Sequence, residues 1–201
     1  MKIATELFLI KEGVFSHSAE FLIVMNEVNE AIKCVSWNEK DKFCINPVQK
    51  GNGVVPIKNN FIKYLKDKGW KTETRMTLAL GMNPGPIDAI KETSFGIFAV
   101  EWETGNISSS HRALNKIGVG ILQKEIIGGL LILPTKKFSK FLTDRVGNYE
   151  EISPYFILYQ SINIIDGVIG VIAVEYDDLD KEAPLIPKGK DGNAKKGMLL
   201  F

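Results

Sequence analysis

Residues 98–116 read FAVEWETGNISSSHRALNK. An apolar run ends in two acids one residue apart, a Thr-Gly-Asn break follows, and a polar stretch then opens onto Ala113 and Leu114. Side chains alternate between faces along a strand. Phe98, Val100 and Trp102 therefore fall on one side, and Ile97, Ala99, Glu101 and Glu103 on the other. Beyond the break, Leu114, Ile117 and Ile121 recur at helical spacing, which predicts a helix from about Ser108 to Gln123. The next apolar run, Ile126–Leu133, is continuous, as expected of a strand buried on both faces. Strand, helix and buried strand in succession predict an α/β domain with a central mixed sheet flanked by helices.

The pattern extends in both directions. Ser18 is a good N-cap for a helix to about Val35, with Phe21, Leu22, Met25, Val28 and Ile32 as its apolar face. Residues 38–54 read as loop. Pro56 suits the first turn of a second helix, which buries Phe61, Ile62 and Leu65 and ends near Gly69. Pro84 and Pro86 exclude a central strand and predict a bend just before Asp88. Residues 95–103 form a strand. Residues 135–150 are polar and basic, Pro154 opens or interrupts a helix reaching about Ile162, and Val168–Tyr176 is another buried strand. The tail from Asp177 to Phe201, rich in Pro, Gly and Lys, reads as irregular, giving one domain over 1–201.

A chain of 201 residues, 45% hydrophobic and 24% charged, has the composition of an ordinary globular domain. Its net charge is +1, from 25 Lys+Arg against 24 Asp+Glu. That balance lacks the excess typical of nucleic-acid binders, yet a neutral total is compatible with a local basic cleft beside clustered acids. Cys34 and Cys44 form no metal or redox motif and read as reduced core thiols, which suits a cytoplasmic protein. No apolar run is long enough to span a membrane, and no signal-peptide pattern is visible.

Two carboxylates at the end of an apolar strand face are costly to bury unless something neutralises them. A divalent cation with hard oxygen ligands, such as Mg²⁺, would do so; a strand end emerging into solvent is the plain alternative. Asp88 adds a third acid from the preceding strand. A tight turn over Lys91–Ser94 would pair Asp88 with about Ile97, leaving roughly 13 Å to Glu101 at about 3.3 Å per residue. The helix start is equally polar. Free N–H groups at a helix N-terminus favour phosphate, and Asn106, Ser108 and Arg112 bring donors suited to base edges. Simple capping explains one of these residues, not all of them. Thr143-Asp144-Arg145 is a second candidate, since Arg can bind guanine while Asp accepts from cytosine. From the residues alone, an exposed loop ion pair is the preferred reading there. His111 and Lys116 read as solvated or structural.

Several segments, taken in order, resemble the BamHI family of type II restriction endonucleases: NGVVPIK (52–58), GPID (85–88), EWETGNISS (101–109), His111-Arg112, LTDRV (142–146), PYF (154–156) and PLIPKG (184–189). The resemblance implies the restriction-endonuclease fold, and a homodimer that cuts double-stranded DNA at the palindrome GGATCC after the first G. It implies two Mg²⁺ ions per active site. Asp88, Glu101 and Glu103 match the family's catalytic, metal-holding acids, and Glu73 matches a fourth by way of Trp70-x-x-Glu73. Asn106, Ser108, Arg112, Asp144 and Arg145 match its major-groove readers. Asp191 matches a residue of its C-terminal arm, and Lys58 a DNA contact nearby. A cognate methyltransferase is implied as a functional partner in the cell. The likeness is loose over the first 45 residues and departs from the family's pattern at 195–201. A structure-selective nuclease of the same fold, and a catalytically silent DNA-binding module, are the alternative readings.

Overall fold

The hairpin carrying Asp88 fixes how the sheet is assembled. In the computed structural model, which describes residues 1–37, 41–78 and 85–188, β4 (Ile87–Thr93) and β5 (Gly96–Trp102) pair antiparallel. Ala89 faces Val100, Lys91 faces Phe98 and Thr93 faces Gly96. The turn is therefore Ser94–Phe95, later than the expected Lys91–Ser94, and one further step of the register sets Asp88 across from Glu101. The anticipated 13 Å gap does not exist. Glu20, from the first helix, accepts from the Ser94 amide at 2.9 Å and also binds its hydroxyl, which holds the turn in place. Gly96 has φ 133°, and a Cβ there would come within 2.7 Å of Ile127, so only glycine closes this hairpin without strain.

Six strands form one mixed sheet, in the order β1 (Lys2–Glu12), β7 (Gly167–Glu175), β6 (Gly128–Pro134), β5, β4, β3 (Lys71–Thr74). β5, β6 and β7 are parallel, and the remaining pairs are antiparallel. The helix α3 (Ile107–Leu122) links β5 to β6 and covers one face, where Leu114, Ile117 and Ile121 meet Ala99, Leu131 and Val171. The helices α1 (Ala19–Lys33) and α2 (Val55–Asp67) cover the other face. There Phe21, Val28, Phe61 and Leu65 meet Phe98, Val100, Trp102 and Ile132. The alternation expected along Phe98–Trp102 is thus realised, with one apolar layer on each side of the sheet. β6 and β7 are buried along their whole length.

Several local expectations change. The first strand, β1, carries no clear strand signal in the sequence, because its register shifts between Ile3 and Thr5 and between Phe8 and Ile10. Those irregularities destroy the two-residue period that marks a strand. Within the stretch read as loop, Cys44–Ile45 (β2) forms a short parallel ladder with Asp178–Leu179 (β8) from the stretch read as irregular tail. Leu22 is 68% exposed, and Val24 and Ala31 take its place on the buried face of α1. Cys34 is exposed; of the two free thiols, only Cys44 is in the core. Pro154 interrupts rather than opens: α4 (Lys136–Ser139) is followed by α5 (Tyr149–Ile152), a 3-10 turn at Ser153–Tyr155, and α6 (Phe156–Gln160). Pro84 and the tail from Gly189, including Asp191, lie outside the described residues.

Candidate active site

β5 carries Glu101 and delivers Glu103 just past its end, where the Glu103 amide still bonds to the Ile132 carbonyl of β6 at 2.8 Å. Across the hairpin, Asp88 points the same way. The three acids line one cleft of about 350 Å³, with Pro86, Arg112 and Lys116 on its walls. Asp88 accepts from the Trp102 amide at 2.8 Å through Oδ2, while its Oδ1 receives the ammonium of Lys58 from α2. Glu101 is 2% exposed, and its Oε1 takes the ammonium of Lys116 at 2.5 Å. Lys116, itself 5% exposed, also donates to the Pro86 carbonyl at 3.2 Å.

Burial first, and then the charge of Asp88, raise the Glu101 carboxyl from 4.5 to about 7, with Lys116 pulling the other way. Burial and Asp88 likewise raise Glu103, against the attraction of Lys58, Arg112 and Lys116. The cluster therefore holds its charge at a cost, despite one buried and one half-buried ammonium contact. Among the described residues, no three acidic or histidine side chains stand ready as a shell for one ion; the ammonium groups of Lys58 and Lys116 occupy carboxylate oxygens instead. The donor set nevertheless fits a hard divalent cation: carboxylate oxygens around one cleft, destabilised by one another, which added positive charge would relieve.

Of the two readings open for Lys116, solvated or structural, the second holds: it is buried against Glu101. The available signal was its position four residues after Arg112, which puts both cations on one helical stripe facing the strand end. Lys58, read as a DNA contact, sits within the acidic cluster. Glu73 does not join the three acids. It is exposed, has φ 50°, and lines a second, larger cleft in which Glu103 is also a wall. His111 packs edge-on against Tyr155 with ring centres 4.6 Å apart.

The candidate reading residues gather beside this site. Asn106 caps α3, accepting from the Ser109 amide at 3.1 Å, and Asn106, Ser108 and Arg112 are exposed. Asp144 and Arg145 are also exposed; Asp144 pairs with Lys50 at 2.8 Å, which holds its carboxyl below the usual range. The Gly147 amide donates to the Gly105 carbonyl at 2.8 Å, so the loop carrying Arg145 is tied to the loop that starts α3. A Cβ at Gly147 would lie 2.9 Å from the Ile107 backbone, and this contact depends on glycine.

A mixed sheet with carboxylates collected at the end of a central strand is the architecture of restriction-endonuclease-like folds. The crystal structure of restriction endonuclease BglII complexed with a DNA 16-mer matches with a TM-score of 0.60 at 16% identity, covering 94% of this chain and 90% of that one. The family profile described as Restriction endonuclease BamHI matches residues 1–193, and the chain belongs to that family. The type II restriction enzyme OkrAI of Oceanobacter kriegii is 50% identical over 173 residues, which cover 86% of this chain and 89% of that one. The type II restriction enzyme BamHI of Bacillus amyloliquefaciens is 38% identical over 182 residues, covering 86% and 83%. No described helix is long and apolar enough to cross a membrane.

Proposed function

We propose that the chain is a Mg²⁺-dependent endonuclease that acts as a homodimer in the cytoplasm and cuts double-stranded DNA at GGATCC after the first G. The observation that carries this reading is the convergence of Asp88, Glu101 and Glu103 in one cleft beside the loops bearing Asn106, Ser108 and Arg145. Asp88, Glu101 and Glu103 would hold two ions; Glu73, the family's fourth acid, lines the adjoining cleft and is not brought to them here. Bound there, the metal would supply Lewis-acid stabilisation of the phosphate and of the attacking and leaving oxygens. Glu103 lines the same cleft from just past the end of β5, and its carboxylate suits taking a proton from the attacking water. Arg112 faces the same cleft and can hold a phosphate oxygen. Arg145 and Asp144 read a G·C pair, and Asn106 and Ser108 meet neighbouring base edges. Asp191 and Lys58 add DNA contacts. A palindrome requires a two-fold dimer, and Ile157 and Leu158 on α6, each 63% exposed, offer an apolar surface for it. A methyltransferase of the same specificity would protect the host DNA.

Incubating the purified protein with plasmid and Mg²⁺ and sequencing the fragment ends tests this. Ends at GGATCC with 5′-phosphates are expected. Cutting at nicks or junctions without sequence preference, or tight binding with no Mg²⁺-dependent product, would support the other readings. Glu103→Ala should abolish cleavage while leaving specific binding intact; full cleavage by that variant removes Glu103 from the chemistry.

A further inference from the structure

We propose that the larger cleft beside the acidic site is a channel for the phosphodiester backbone of the DNA beyond the cut bond. The inference rests on the endonuclease reading above. This cleft, about 660 Å³, lies between α2 and the segment Trp102–Gly105. Lys58, Asn59, Lys63 and Lys66 form its α2 wall, and Glu73 and Glu103 lie on the others. Glu103 is shared with the catalytic cleft, and Lys58 reaches into that cleft to hold Asp88, so the two spaces adjoin at the chemistry. A strand with its scissile phosphate at the acids must leave them along some surface, and this one begins there.

The charges suit that occupant. Lys63 and Lys66 have no ion pair or side-chain hydrogen bond among the described residues, whereas the nearby Lys71 and Lys91 are paired with Glu92 and Glu27. Two such ammonium groups on one wall of an open groove attract a polyanion. The spacing also fits. Lys58 to Lys66 spans about 12 Å of helix at about 1.5 Å per residue, or roughly three to four base-pair steps at about 3.4 Å each along the duplex axis. Lys58 marks the end at the cut, and Lys63 and Lys66 follow the strand outward. Glu73 on the far wall keeps the groove from being a general anion trap and confines phosphates to the α2 side.

The test uses the full chain in EDTA, so that DNA binds without being cut, with two fluorescent duplexes: one with the recognition site and minimal flanks, one with long flanks. Affinity is measured against salt for wild type and for the Lys63→Gln/Lys66→Gln double variant. Each lost phosphate contact should reduce the salt slope by about 0.9. On the long duplex the double variant should therefore lose about 2 from the slope and bind roughly ten- to a hundredfold more weakly at low salt. On the short duplex the two proteins should coincide. Equal slopes on the long duplex, or an equal loss on both duplexes, would overturn the channel while leaving the endonuclease reading standing. Absence of binding by the wild type to either duplex, together with no cleavage of plasmid when Mg²⁺ is supplied, would overturn both.

Discussion

Replacing Glu101 by glutamine should remove the pH dependence of stability that this carboxyl imposes on the metal-free protein. Burial and the adjacent Asp88 lift the Glu101 carboxyl from 4.5 to about 7, against the pull of Lys116. At about 1.4 kcal/mol for each pH unit, that rise corresponds to about 3 kcal/mol. A carboxyl that holds its proton more tightly in the folded than in the unfolded chain favours folding at low pH. The contribution is complete below about pH 4.5 and is lost as pH rises through about 7. The glutamine amide has no proton to release in this range. Whatever fixed penalty comes from leaving Lys116 opposite an amide, the difference in stability should move in favour of the variant by about 3 kcal/mol between those two pH values.

The assay is urea denaturation in EDTA across that range, with wild type and Glu101→Gln compared at each pH. Divergent curves are expected, and the divergence should stop above about pH 7. Added Mg²⁺ should recover stability in the wild type at the upper end, since a cation binds the ionised carboxylate, and should do much less for the variant. If the two curves run parallel from pH 4.5 to 7, Glu101 is not held at an electrostatic cost, and that reading of the cluster fails.

Lys58→Met should tighten divalent-cation binding to the DNA-free protein roughly ten- to a hundredfold, because a charge-assisted bond to Asp88 worth about 1.5–3 kcal/mol is no longer broken; calorimetric titration that gives equal or weaker binding refutes it. Arg145→Ala should cost about 1–3 kcal/mol of discrimination at one G·C pair, read from competition with singly substituted duplexes. A uniform weakening across sequences would make Arg145 a phosphate contact instead. Gly96→Ala should destabilise the fold by about 1–3 kcal/mol in urea, since alanine at φ 133° is strained and its methyl meets Ile127.

The elements that can be read from sequence are those with an unbroken period. α1, α2 and α3 bury most of the stripes their spacing predicts, with Leu22 exposed and Ile62 only half-buried, and β6 and β7 are buried along their length, apolar except for Glu175, because both faces are covered. β1 is invisible because two register shifts scramble its alternation at the sheet edge. The two-residue ladder between β2 and β8 is too short to leave any period. The hairpin closes later than the apolar pattern alone suggests: Gly96, at φ 133°, permits the turn there, and Glu20, 74 residues from Ser94, adds a tie that no local pattern shows.

The same distinction divides the site. Its negative half lies on one hairpin: Glu101 and Glu103 are neighbours on a strand end, and Asp88 follows a proline bend, so the acids are visible as a local pattern. Its positive half comes from elsewhere. Lys58 arrives from α2, 30 residues from Asp88, and Lys116 from the third turn of α3, 15 residues from Glu101. A lone lysine on a helix is normally solvated; nothing near Lys58 in sequence says otherwise, and only the spacing from Arg112 marks Lys116. Yet the acids cannot be buried together without those ammonium groups, because carboxylates in a dry cleft repel one another and lose hydration. Reading three converging acids in a sequence therefore implies counter-charges that have not yet been found. The place to seek them is on the helices that cover the strand end, at positions whose stripe faces the carboxylates.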